Sequence, residues 1–148
     1  MPTSTRFAVS VHILAALAVN EGTPVRSEDL ARSASTNSAV IRSILCRLAK
    51  ANLTTSQLGA GGGALLARNA DSITLLDVYR IVEDDEIFAL HRCAPDENCD
   101  VGKNIQAAML PTLDRARQAL EAELNAVTIA NIADTIAEKG RFTIPWEG

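Results

Sequence analysis

The feature that most constrains this chain is the run from Ser35 to Arg68, STNSAVIRSILCRLAKANLTTSQLGAGGGALLAR. At ~100° per residue, Val40, Ile41, Ile44, Leu45 and Leu48 fall on one helical stripe. The opposite face carries Arg42, Ser43, Cys46 and Lys50, with Arg47 at its edge. An apolar back with a small, basic, hydroxyl-bearing front suits a helix that rests on a core and lies in a DNA major groove. It equally suits an ordinary amphipathic surface helix, so the rest of the chain must decide.

The segments on either side of that helix narrow the choice. Asn52 tolerates the left-handed position that ends a helix. Leu53–Leu58 and Ala64–Ala67 are short strand candidates around Gly59-Ala-Gly-Gly-Gly63, where glycine permits positive φ and close backbone approach to a partner. The glycines are no phosphate loop, because no Gly-Lys-Ser/Thr comes after them. They match a dinucleotide fingerprint only loosely, with no βαβ unit behind them. Upstream, a first helix runs from a Ser4 cap to about Asn20 on a stripe of Phe7, Val11, Leu14, Ala15 and Ala18. His12 within it reads as a surface or core histidine. Ser27 is the expected cap of a short second helix, with Glu28 and Asp29 placed for its dipole and Leu30 and Ala31 facing inward. The polar turn Arg32–Ser38 comes next, where Ser35 or Asn37 can cap the third helix. Helix, short polar turn, helix is the helix-turn-helix pattern.

Beyond the hairpin, Thr74 caps a fourth helix, Leu75 to about Val82. Glu83–Glu86 is an acidic, solvated run, and Ile87, Phe88 and Leu90 are expected to return to the core. His91–Cys99 is a loop broken by Pro95, Asp96 and Asn98. A long helix then spans about Val101 to Val127, with a stripe of Ile105, Met109, Leu113, Ala116, Leu120, Leu124 and Val127. Pro111 should bend or break it. That stripe exceeds what a small winged core can cover, so it is expected to pack on a second copy. Thr128 caps a last helix to about Lys139, Gly140 ends it, and the tail FTIPWEG looks loosely held. The expected class is mainly α with a small β-hairpin wing (α+β). Residues 1–90 form the DNA-binding domain, 91–100 a cysteine loop, and 101–148 the dimerisation helix and C-terminal helix.

Composition fits this. Residues 1–68 hold seven basic and three acidic side chains, while the other 80 hold seven and 15. A basic front half on an acidic body is an electrostatic arrangement for holding phosphates. No apolar run approaches the ~20 residues of a membrane span. No signal-peptide pattern is present, and a cytoplasmic location is expected. Three cysteines argue against a disulfide framework. No nucleophile–base pair or metal triad stands at workable spacing, so an enzyme is not expected.

AVIRSILCRLAKANL, GAGGGALLAR, SITLLDVYRIVE and HRCAPDENCDVGKNIQAAML together resemble the Rrf-two family of bacterial winged-helix transcriptional regulators, over nearly the whole chain to about Gly140. LLDVYRIVE with VGKNIQ looks closest to the YwnA-like branch, in which no cluster is expected. The resemblance implies a homodimer on operator DNA, usually a repressor, whose cysteine loop senses iron–sulfur status or oxidants. Cys93 and Cys99 keep the first interval of the family's cysteine pattern, but Ile105 stands in the third place, so no iron–sulfur cofactor is expected. Leu58 stands where many members carry an arginine before the wing glycines, and Ser35 about where thiol-based members carry a cysteine.

The residues expected to meet DNA are Arg26, Ser38, Arg42, Ser43, Arg47, Lys50, Gly61 and Gly62. Cys99, at a helix N-terminus that favours its thiolate, is expected to pair with Cys93 on oxidation, unless both are unreactive loop thiols. Cys46 is either a redox group among Arg42, Arg47 and Lys50 or a passive small residue in the groove. Two alternative readings remain: an iron–sulfur sensor, and a winged helix that serves only as a protein-interaction module.

Overall fold

The structure is a computed structural model that describes residues 4–83 and 86–140. Its elements run α1 (Arg6–Val19), α2 (Ser27–Ser33), α3 (Ser38–Lys50), β1 (Thr54–Gln57), β2 (Gly63–Leu66), α4 (Leu75–Val82), α5 (Asp100–Asn125) and α6 (Ile129–Lys139). Six helices and one antiparallel hairpin make it the expected α+β arrangement. Asp84, Asp85 and the FTIPWEG tail lie outside the described residues.

Helix α1 is the central post, packed on α3, α4, α6 and β2. Its buried side is Ser10, Ile13, Leu14, Ala15 and Leu17, so the expected stripe is turned: Phe7, Val11 and Ala18 are only partly covered. Ser10 is tolerated at the centre because its hydroxyl donates to the Arg6 carbonyl at 2.6 Å. Thr5 occupies the cap position, and the Ser4 hydroxyl accepts the Arg6 N–H from one residue further out.

The turn between α2 and α3 is a Schellman motif. Thr36 N–H donates to the Ala31 carbonyl and Ser35 N–H to the Arg32 carbonyl, with Ser35 left-handed at φ 53°. Ser35 therefore closes α2, and Asn37 caps α3 by accepting the Val40 N–H at 2.9 Å. Ser27 is likewise the first residue of α2, after Arg26. The same motif ends α3. Asn52 sits at φ 61°, its N–H donates to the Ala49 carbonyl, and the Leu53 N–H reaches the Leu48 carbonyl. Leu53, 1% exposed, is the apolar contact that accompanies the motif.

The hairpin pairs Thr54 with Leu66 through Gln57 with Gly63. Val25 adds a one-residue third strand, exchanging both backbone hydrogen bonds with Ala64 at 2.8 and 3.0 Å. This ties the hairpin base to the entry of α2.

Helix α4 starts with a full capping box between Thr74 and Asp77, and α6 with another between Thr128 and Asn131. The two starts are joined. Leu75 N–H donates to the Val127 carbonyl at 2.9 Å and Ile129 N–H to the Ile73 carbonyl at 2.8 Å. Ile129 is fully buried in the main core and α6 lies along α1. Helix α6 thus packs with the winged domain, although the sequence grouped it with α5.

Helix α5 runs unbroken through Pro111 and holds no buried residue. Ile87, Phe88 and Leu90, expected in the core, are instead 38%, 45% and 37% exposed. They line an open cleft of about 340 Å³ with Tyr79, Leu110 and Leu113, on the side of α4 that faces α5.

Candidate nucleic-acid interface

Helix α3 is fixed by its back. Ile41 and Leu48 are fully buried and Ile44 nearly so, and spacing of three and four residues aims all three into the core. Val40 and Leu45 flank this stripe and are only partly covered. The front is consequently exposed: Arg42, Ser43, Cys46 and Lys50, with Ser38 half-buried at the start. Arg42 and Cys46 face β1 across a shallow groove of about 320 Å³, whose lining includes Ser27, Thr54, Ser56 and Ala64. Cys46 lies mid-front and is exposed.

Two of the expected cations are engaged within the chain. Arg47 is half-buried and its guanidinium donates to the Val82 carbonyl at the end of α4, at 3.5 Å. This position flanks the front and turns the side chain towards the body, away from Arg42 and Lys50. Arg26 donates from Nε to Asp29 at 3.2 Å, and this bond and the Asp29 charge raise its pKa further. It remains exposed, but as half of an ion pair. Gly61 and Gly62 sit at the hairpin tip with different duties. Gly61 has φ 76° and open space where a Cβ would stand, so a partner can approach its backbone. At Gly62 a Cβ would fall 2.1 Å from the Gln57 carbonyl oxygen, so glycine is demanded by the turn itself.

The three cysteines are free and exposed. Cys99 is the N-cap residue of α5, held by its N–H donating to the Asp96 carbonyl at 3.2 Å. The backbone N–H of Gly102, then that of Val101, lowers its thiol pKa, although neither reaches full capping geometry. Cys93 lies in the exposed loop before it. His12 donates to or accepts from Ser33 at 2.8 Å, bracing α1 against α2. Among the described residues, no three His, Cys, Asp or Glu side chains gather closely enough to hold a metal ion. None of the described helices is long and apolar enough to cross a membrane.

The sequence matches the Rrf2 family, described as iron-dependent transcriptional regulators, over residues 3–135. The chain belongs to the Rrf2 family. It is 38% identical over 130 residues to YwnA of Bacillus subtilis, named as a candidate HTH-type transcriptional regulator, covering 87% of this chain and 95% of that one. It is 34% identical over 97 residues to the HTH-type transcriptional regulator IscR of Xenorhabdus nematophila, covering 66% of this chain and 57% of that one. The fold is that of CymR, described as the global cysteine regulator of B. subtilis. The TM-score is 0.71 at 22% identity, over 91% of this chain and 98% of that one. Each of these relatives is named as a regulator.

The iron in the family's description raises the question of a cluster. One chain offers Cys93 and Cys99 in the expected interval, and Ile105, half-buried on α5, in the third place. Cys93 and Cys99 give one chain two of the four protein ligands that such a cluster takes.

Proposed function

We propose that this chain is a homodimeric repressor that binds operator DNA through the exposed front of α3, works without an iron–sulfur cluster, and responds to oxidants through Cys99 and Cys93. The observation that carries the DNA reading is the division of α3. Ile41, Ile44 and Leu48 are consumed by the core of its own chain, leaving Arg42, Ser43 and Lys50 outward beside an exposed hairpin. A groove of DNA accepts that combination of shape and charge. The dimer reading rests on α5, whose 26 residues include none that are buried. A twofold axis along it would set two α3 helices about one DNA turn apart, ~34 Å.

Binding of fluorescent promoter duplexes across a salt series tests this. The wild type should bind with a steep log–log salt dependence. Arg42→Ala should weaken binding on the order of ten- to a hundred-fold without lowering the melting temperature. No binding even in low salt would overturn the regulator reading and favour an interaction module. Peroxide should weaken the wild-type complex and block alkylation of Cys99 and Cys93 together. Unchanged labelling removes the sensor.

A further inference from the structure

Strand β2 is paired on its outer edge for one residue only, where Ala64 gives both its N–H and its carbonyl to Val25. Bonding direction alternates along an antiparallel strand, so Leu66 turns its N–H and carbonyl to that same outer edge. Thr23 would continue the pairing there, but its N–H is turned back to the Asn20 carbonyl at 2.8 Å. Gly22, at φ 81°, takes the chain off towards α1. Neither backbone group of Leu66 is bonded among the described residues. Where the two chains part, a groove of about 540 Å³ opens between the end of α1, β2 and the start of α6. Leu17, Ala18, Ala70 and Ala130 give it an apolar lining, and the exposed Glu21 and Asp71 stand at it. Neither carboxylate meets a cation among the described residues. Arg68 also lines the groove, but its guanidinium donates to the Ser72 carbonyl at 3.0 Å and to Asp77 at 3.3 Å.

We propose that this groove docks an extended segment of a partner protein, which joins β2 at Leu66 and brings a lysine or arginine to Glu21 and Asp71. An open strand edge is a row of unpaired donors and acceptors, and another chain in the extended conformation matches it. In such β-augmentation the main-chain bonds give affinity, and the side chains at alternate positions give the choice of partner. Here the choice is an aliphatic residue against Leu17 and Ala130, and a cation beside two unmatched carboxylates. No residue of α3 lines the groove. The site is therefore separate from the front of α3 and does not depend on the DNA-binding reading.

The test follows the backbone amide signals of the isotope-labelled full chain during titration with the peptide acetyl-Thr-Val-Lys-Val-Thr-amide. The signals of Gly22, Leu66 and Ala130, all at the groove, should move together and saturate. Methylating every peptide nitrogen removes the donors and should weaken binding about ten-fold. Replacing the peptide's lysine with glutamate should weaken it about as much. Glu21→Gln combined with Asp71→Asn, both at exposed positions, should cost the lysine peptide about three- to ten-fold and the glutamate peptide nothing. Equal binding of the lysine and glutamate peptides overturns the inference, as does a Leu66 amide that stays unmoved. If butylammonium shifts the same signals as fully as the peptide, the groove is a site for small cations and strand addition is overturned. If the Leu66 signal moves with protein concentration before any peptide is added, a second copy fills the groove and the inference falls again. None of these outcomes touches DNA binding, which Arg42→Ala reads separately.

Discussion

Helices α3 and α5 are both amphipathic, and they spend their apolar residues in opposite ways. Over 13 residues α3 buries Ile41, Ile44 and Leu48 within its own chain and leaves a polar face free. Over 26 residues α5 buries nothing, touching chiefly α4, while Met109 and Leu113 stay half-covered beside Phe88 and Leu90. A helix whose apolar side is satisfied at home is a platform for a polar partner. One whose apolar side is unsatisfied is itself half of an interface. The two helices therefore fail differently when damaged.

The sharpest way to break this contrast is to damage the apolar side of each. Leu48→Ala opens a cavity in a fully packed core and should cost roughly 2–5 kcal/mol, read from urea unfolding. Leu113→Asp should leave the far-ultraviolet dichroism of the winged domain intact and shift the sedimentation coefficient from dimer to monomer. If Leu113→Asp unfolds the protein as Leu48→Ala does, α5 is part of one core and the contrast is void. If it sediments as a dimer, the interface lies elsewhere.

The α3 half was legible because periodicity carries it. Ile41, Ile44 and Leu48 of the stripe, Asn37 of the two offered caps and a left-handed Asn52 are local signals that the structure realises, while Val40 stays 37% exposed and Ser35 closes α2 instead. Thr74 and Thr128 were legible for the same reason, since a capping box lies within four residues. The features that escaped were those decided by distant chain. Ile87, Phe88 and Leu90 are apolar enough for a core, but hydrophobicity does not say whether the surface that covers them belongs to the same chain. Val25 pairs with Ala64 over a single residue, too short for any period. Arg47 differs from Arg42 only by its angle on the helix, and that angle acquires meaning only when the end of α4 arrives beside it. Leu58 was visible as an unusual residue at the wing, but its near-complete exposure was not.

A smaller effect sharpens where the boundary between the two regions lies. The starts of α4 and α6 are joined by paired backbone bonds, and Ile129 is in the winged core. Thr74→Ala and Thr128→Ala should therefore each lower the stability of the same unfolding transition by about 1 kcal/mol. A Thr128→Ala variant that leaves this transition untouched would place α6 with α5, the grouping that sequence alone favoured.

The smallest expected effect concerns the end of α5 that carries Cys99. Its exposed thiol faces the Gly102 and Val101 N–H groups, which hold its pKa below the ordinary thiol value in the folded chain only. Folding thus favours the thiolate. The associated stabilisation is present above the unfolded pKa and is lost as pH falls through the lower, folded one. The reactivity consequence is easier to see than the stability one. In a Cys46→Ser, Cys93→Ser background, the pH midpoint of iodoacetamide labelling should lie lower for the native protein than for the urea-unfolded chain. The midpoint is the right readout, because a thiolate of lower pKa is also a weaker nucleophile and absolute rates partly cancel. Coincident midpoints would mean that the α5 terminus does not act on the sulfur. The apolar face would then be the only part of α5 prepared for a partner, and the oxidant response would have to begin at Cys46 on α3.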